Sequence, residues 1–158
     1  TSNLDVNGLY VRLEALATMR RLDYRLGPAI RLVGHTPAST EFHPGDELGF
    51  YLYWQAESQP DKDWTVFVHI LDASGQFITQ RDVMPAEGEA PTSHWSPGGF
   101  VEDLHRIPLP PDMQPGEYHI VIGLYDWRTG ERLPAYDQNG NEIPDAAIAL
   151  EQTFTVTP

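Results

Sequence analysis

Four tryptophans (Trp54, Trp64, Trp95 and Trp127) and the tyrosines Tyr51, Tyr53 and Tyr125 are the residues here best suited to recognition. Sugar rings stack on flat aromatic side chains through their apolar C–H faces, and their hydroxyls need polar neighbours. Trp64, Trp95, Trp127, Tyr53 and Tyr125 are therefore the candidate ligand-binding residues. The same residues have a structural use, because large aromatic rings anchor cores. Trp54, inside an apolar run, is expected in the core. Trp95 sits in a long loop and is expected to fold back over one end of the domain. Trp64 and Trp127 flank turns, and the sequence leaves both uses open for them.

A second constellation is built from oxygens. Asp137, Asn139, Asn141 and Asp145 alternate their side chains along one segment. A calcium ion takes six to eight such ligands. The spacing lacks the acid that would close an EF-hand loop, and Asn139-Gly140 at a hairpin tip accounts for the same residues. Calcium is the one cofactor the sequence brings to mind, and the plain hairpin is the competing reading.

Acid–base chemistry has less to work with. His69, Asp72 and Asp82 fall on one expected hairpin, and His94, Asp103 and His105 lie near a long loop. A hydrolase needs a nucleophile or a three-ligand set meeting in one place. No nucleophile-elbow and no His-Glu-x-x-His motif occurs, so no catalytic residue is assigned. The chain has no cysteine, which excludes disulfides, thiolate catalysis and Cys-ligated zinc.

The net charge is −13 over 158 residues, with one lysine, Lys62. Five of the nine arginines lie in the first 36 residues, so the rest of the chain is strongly acidic. Such a body repels phosphate backbones, and nucleic acid is excluded as a partner. No run of 18 apolar residues is present. The chain starts at Thr1 without a visible leader, as expected of a piece cut from something longer.

The elements that must position these residues are short strands. Residues 9–19 have a period of two, which favours a half-buried strand, although Leu9, Leu13, Leu16 and Ala17 would also share a helical face. Strands are expected at 29–33, 48–55, 64–71, 76–82, 100–109, 117–126 and 147–156, with 131–136 pairing back on 117–126. Turns fall at 43–46, 72–75, 128–130 and 139–140. In 48–55, Leu48, Phe50, Leu52 and Trp54 line one face, and Tyr51 and Tyr53 the other. Residues 85–99 form a long loop rich in proline and glycine. About eight strands without βα alternation predict an all-β, antiparallel sandwich, immunoglobulin-like or jelly-roll-like. The sandwich is expected over 29–158, with 1–28 an N-terminal extension or a first strand.

Several motifs in order carry a resemblance. They are the run 67–75, Phe-Val-His-Ile-Leu-Asp-Ala-Ser-Gly; then Gln80-Arg81-Asp82; Pro91-Thr92 with Trp95; Pro115-Gly116-Glu117-Tyr118; Gly123-Leu124-Tyr125-Asp126; and 129–133, Thr-Gly-Glu-Arg-Leu. Together, over about 29–156, they resemble the C-terminal soluble β-sandwich domain that follows the membrane spans of bacterial glycosyltransferases similar to protein mannosyltransferases. That family has an acid soon after the glycine following the tryptophan. Here the run is Pro97-Gly98-Gly99-Phe100, and the acids come later, at Glu102 and Asp103. The resemblance implies a non-catalytic accessory domain outside the cytoplasm, tethered through the membrane-spanning part of the same parent chain, which holds the catalytic aspartates. A glycan or glycosyl acceptor would be its partner. The alternative is a structural or protein-interaction immunoglobulin-like module without sugar affinity.

Overall fold

The computed structural model describes residues 3–6, 9–12, 19–36 and 39–158, with side chains for 19–36 and 39–158. Ten strands form two five-stranded sheets packed face to face, and a separate hairpin precedes them. The hairpin is β1 (Asn3–Val6) and β2 (Leu9–Arg12), paired antiparallel. Most of the segment expected as one strand over 9–19 lies outside the described residues.

The first sheet has the order β5-β12-β10-β7-β8, from β5 (Glu41–Phe42), β12 (Ile148–Val156), β10 (Gly116–Tyr125), β7 (Thr65–Asp72) and β8 (Phe77–Val83). The second has the order β11-β3-β4-β6-β9, from β11 (Ala135–Tyr136), β3 (Arg20–Leu26), β4 (Ile30–His35), β6 (Glu47–Ala56) and β9 (Phe100–Pro108). All pairs are antiparallel except β5 with β12. Among the described residues, strands exceed the expected eight because β5 and β11 are two residues long, too short to show a period. β3 adds to the count: it lies before residue 29, yet it pairs with β4 on both sides of a register shift between Arg21 and Tyr24.

Alternation decides which face of each strand is buried. Leu48, Phe50, Leu52 and Trp54 of β6 point inward, as expected, and meet Val66, Val68 and Ile70 of β7 and Ile120, Ile122 and Leu124 of β10 in one core. The opposite face of β6 is also covered. Tyr53 is buried there beside Met19, Val33 and Tyr51, and its hydroxyl donates to Glu102 at 2.9 Å.

One pairing differs from the sequence expectation. Residues 131–136 do not form a strand against β10. Only Arg132 bridges Tyr125, with Leu133 N–H donating to the Leu124 carbonyl. The chain then leaves the first sheet, and Ala135-Tyr136 pair with β3 in the second. Pro134 removes a donor at the point where the chain departs, and its carbonyl accepts the Gly27 N–H instead.

Candidate functional site

The inward phase of β9 carries two polar residues. Val101, Asp103, His105 and Ile107 all face the core, and Asp103 and His105 are completely buried. A buried carboxylate must find donors, and Asp103 finds three. Its Oδ2 accepts Trp54 Nε1–H at 2.9 Å and His105 Nε2–H at 2.6 Å, and its Oδ1 accepts the Ala86 amide at 2.8 Å. The His105 ring stacks on Phe50, with centroids 5.7 Å apart. Ala86 and Glu87 hold positive φ angles of 55° and 56°, a left-handed conformation that non-glycine residues adopt at a cost. The Asp103 bond pins that turn. This group is sealed from solvent and fastens the 84–99 loop to the core.

Two tryptophans expected as candidate binders serve the same loop. Trp95 is 4% exposed, lies 6.4 Å from the Trp54 ring and donates to the Ala90 carbonyl. It caps the sandwich end, as its loop position suggested. Trp64 is 4% exposed; its ring nitrogen donates to Asp61 and its amide to Thr92 Oγ1. Trp64, Trp95 and Tyr53 therefore present almost no surface to a ligand. Each found a better use for its area inside the domain.

Tyr125 and Trp127 remain at the surface, and they border the site the geometry favours. On the outer face of the first sheet, β7 contributes Phe67 and His69, β8 contributes Gln80 and Asp82, and β10 contributes Tyr125. Together with Gly130 and Arg132 from the following turn they line a cleft of about 260 Å³. Phe67 is its floor, and the ring lies so close over Gly123 that a Cβ there would approach it to 2.4 Å. The Arg132 guanidinium sits 4.3 Å above the same ring, a cation–π contact, and Nη1 donates to the Asp145 carbonyl. His69 packs between Phe67 and the exposed Phe77.

The polar groups of the cleft are only partly paired. Tyr125 donates its hydroxyl to Asp82 Oδ2 at 3.0 Å. Asp82 Oδ1 is shielded from bulk solvent and has no hydrogen-bond partner among the described residues. Burial pulls the His69 pKa down and so favours the neutral ring, which has one donor and one acceptor. Burial, with the bond to Asp82, pushes the Tyr125 phenol up, so it stays protonated.

Beside this cleft, the turn 126–130 carries Trp127, 59% exposed, with the Arg128 guanidinium 5.5 Å from its ring. Asp126 holds the turn. It accepts the Arg128 amide at 3.0 Å and the Lys62 ammonium at 3.0 Å, and these bonds hold its pKa below the usual range. A smaller depression of about 180 Å³ lies under Trp127, lined by Lys62, Asp63, Met84 and Ser93 among others.

The other sequence candidates fall elsewhere. Asp137 Oδ1 accepts the amides of Asn139 and Asn141, so its carboxylate closes the Asn139-Gly140 hairpin. Asp145 adopts a φ of 59° in a 3₁₀ turn. Among the described residues no three His, Cys, Asp or Glu side chains are arranged to hold a metal ion. Asp72 accepts from Ser74 and Gln76 within its own turn, which separates it from the His69–Asp82 cleft. Sequence reasoning overlooked Arg132 and Gln80. Gln80 comes to stand opposite His69 through a register shift between Ile70 and Leu71, which the turn residues do not announce.

No protein-family model and no curated protein matches the sequence. Among solved structures, the C-terminal domain of Wzt superposes with a TM-score of 0.56 at 10% identity, over 89% of this chain and 81% of that one. The two share a β-sandwich fold. A Listeria innocua β-glucosidase solved with glucose matches with a TM-score of 0.46 at 9% identity, over 87% of this chain and 16% of the enzyme. The CARDB domain of a Pyrococcus furiosus protein, solved with di-metal ions, matches with a TM-score of 0.42 at 13% identity, over 89% and 92%. At these identities the likeness is one of fold. The sandwich implied by the sequence resemblance is present. Among the described residues no helix is long and apolar enough to cross a membrane.

Proposed function

We propose that this chain is a non-catalytic accessory domain of a membrane glycosyltransferase, held outside the cytoplasm by its parent chain, whose outer sheet face binds a glycan or the sugar of a glycosyl acceptor. The observation that carries the binding part is the cleft between Asp82 and Arg132. It sets the Asp82 carboxylate, the His69 imidazole, the Gln80 amide and the Arg132 guanidinium around a buried aromatic base. Hydroxyls both donate and accept, and a sugar satisfies such a mixed rim; Phe67, 1% exposed and covered by Arg132, closes the base of the cleft. The membrane and glycosyltransferase parts rest on the sequence resemblance. Calorimetric titration with soluble mono- and oligosaccharides tests the binding. Saturable heat that disappears in Asp82→Ala supports it, and null titrations across sugars with a folded protein overturn it. Protease accessibility of the domain in intact spheroplasts expressing the full parent chain tests its side of the membrane. Protection from added protease removes the extracytoplasmic placement.

A second reading has its own observation. Three of the four tryptophans, Trp54, Trp64 and Trp95, are buried, as expected of a structural or protein-interaction module without sugar affinity. The exposed Trp127 next to the cleft weighs on the other side.

A further inference from the structure

The turn 126–130 separates two depressions that share their walls along the chain. Asp82 and Tyr125 line the first, and Met84, Asp126 and Trp127 line the second. Trp127 stands at the crest. It is one of two large apolar side chains exposed among the described residues, and the other, Phe77, lies against His69 of the first cleft. An indole in water on a floppy loop would have no preferred position. This turn is not floppy: Asp126 is itself buried and accepts from both Arg128 N–H and Lys62 Nζ. The carbonyl of Asp126 accepts the amides of Thr129 and Gly130, and Arg128 braces the indole from one side. Lys62, the chain's single lysine, is committed to this brace and also lies 4.9 Å from the Trp64 ring. The fold therefore fixes a large apolar surface in the open, one turn away from a cleft only large enough for a single ring. Rigid aromatic anchors of this kind add contact area at low entropic cost.

We propose that Trp127 and the depression beneath it form a second subsite, so that the ligand is an uncharged glycan chain of at least two residues. It would place one ring in the Asp82–Arg132 cleft and the next on Trp127. This rests on the reading of the cleft as a sugar site. The uncharged class follows from electrostatics. Each depression holds both signs of charge: Asp82 and Arg132 line the first, and Lys62 donates to Asp126 in the second. The chain carries −13 overall, which raises the local cost of bringing in an anionic chain.

The test uses the whole chain and a ladder of neutral oligosaccharides of one to six residues, from gluco-, manno- and galacto-series, read by ligand-observed NMR and calorimetry. An oligogalacturonide ladder serves as the anionic probe. In the unmodified protein, affinity for the best neutral series is expected to rise roughly tenfold from one residue to three and then level off, the scale of one added aromatic contact. Trp127→Ala is expected to flatten that rise and leave the monosaccharide affinity unchanged. Asp82→Asn is expected to weaken every length. Near-UV circular dichroism confirms that both variants are folded. Monosaccharide binding that does not grow with length, equal losses for all lengths in Trp127→Ala, or tighter binding of the anionic ladder overturns the second subsite while leaving the cleft in place. No binding of any sugar by the folded protein overturns the cleft reading as well.

Discussion

Two carboxylates in this molecule each accept a bond from an aromatic side chain, and their fates are opposite. Asp103 sits between the sheets, where Trp54, His105 and the Ala86 amide supply three donors. Asp82 sits on the outer face, where Tyr125 supplies one and leaves Oδ1 unmatched. The first group is sealed between the sheets with both Asp103 oxygens bonded and His105 Nδ1 left without a partner, and it holds the domain together. The second lines a cleft on the outer face, and its unmatched oxygen lies shielded beneath that surface. Position, between the sheets or on the outer face, more than residue type, separates scaffold from candidate recognition surface here.

The inner group offers the largest handle on this contrast. Asp103→Ala leaves Trp54 Nε1, His105 Nε2 and the Ala86 amide without their acceptor, and is expected to cost about 3–5 kcal/mol. Thermal denaturation should show a fall of roughly 10 °C. A change below about 1 kcal/mol would mean that the buried group is not a fastener. Next comes Gly123→Ala. The added methyl would meet Phe67 ring atoms at 2.4 Å and the Ala146 carbonyl oxygen at 2.5 Å. Overpacking of this kind is expected to cost about 1–3 kcal/mol and to tilt the cleft floor, so sugar binding should fall with stability. Unchanged binding would detach Phe67 from the site.

Acid should separate the groups in two steps. His35 and His69 have pKa values lowered by burial, so the unfolded chain takes up their protons first. Stability is then full above the ordinary histidine value and declines as pH falls below it. Asp63, Asp72 and Asp126 have pKa values lowered chiefly by hydrogen bonds they accept. Their contribution is present above the ordinary carboxylate range and is lost on further acidification. Melting curves across this range should show both descents, and His69→Gln should reduce the first. A first descent unaltered in that variant would assign it to His35 and other groups.

The smallest stability effects belong on the outer face. Asp82→Asn keeps an acceptor for Tyr125 and is expected to change stability by less than about 0.5 kcal/mol, while weakening sugar binding. A large loss of stability would make Asp82 part of the scaffold and erase the contrast with Asp103. Calcium titration followed by melting should produce no shift, because the Asp137 carboxylate already closes its own hairpin. A concentration-dependent rise would return the 137–145 segment to the list of sites.

Some of this was legible in the residues. Alternation over β6 named its buried face, and the Asp72–Gly75 and Asn139-Gly140 turns were visible because turn chemistry is local. What failed to show depended on distant partners. The sequence places Asp103 and His105 only as near a long loop, although they keep phase with Val101 and Ile107. Their burial depends on Trp54 approaching from β6 and on the Ala86 amide, neither of which is local to β9. Ala135-Tyr136 joined a different sheet because two residues carry no periodicity and their partner, β3, lies more than a hundred positions earlier. Trp64 and Trp95 were candidates by residue type alone, and type does not separate an anchor from a platform. Arg132 entered the site through its contact with Phe67, which no local pattern announces.

The excursion of the chain from β10 into the second sheet and back to β12 has a kinetic consequence. Residues 126–147 leave one sheet, add Ala135-Tyr136 to the other and return. The two sheets are thus stitched by backbone: Leu133 N–H bonds the Leu124 carbonyl in the first sheet, and the next residue's carbonyl accepts Gly27 N–H beside β3 in the second. Amide exchange in β11 should therefore track the slowest amides of β10 as one opening unit, and a sugar docked against the root of that stitch should slow both together.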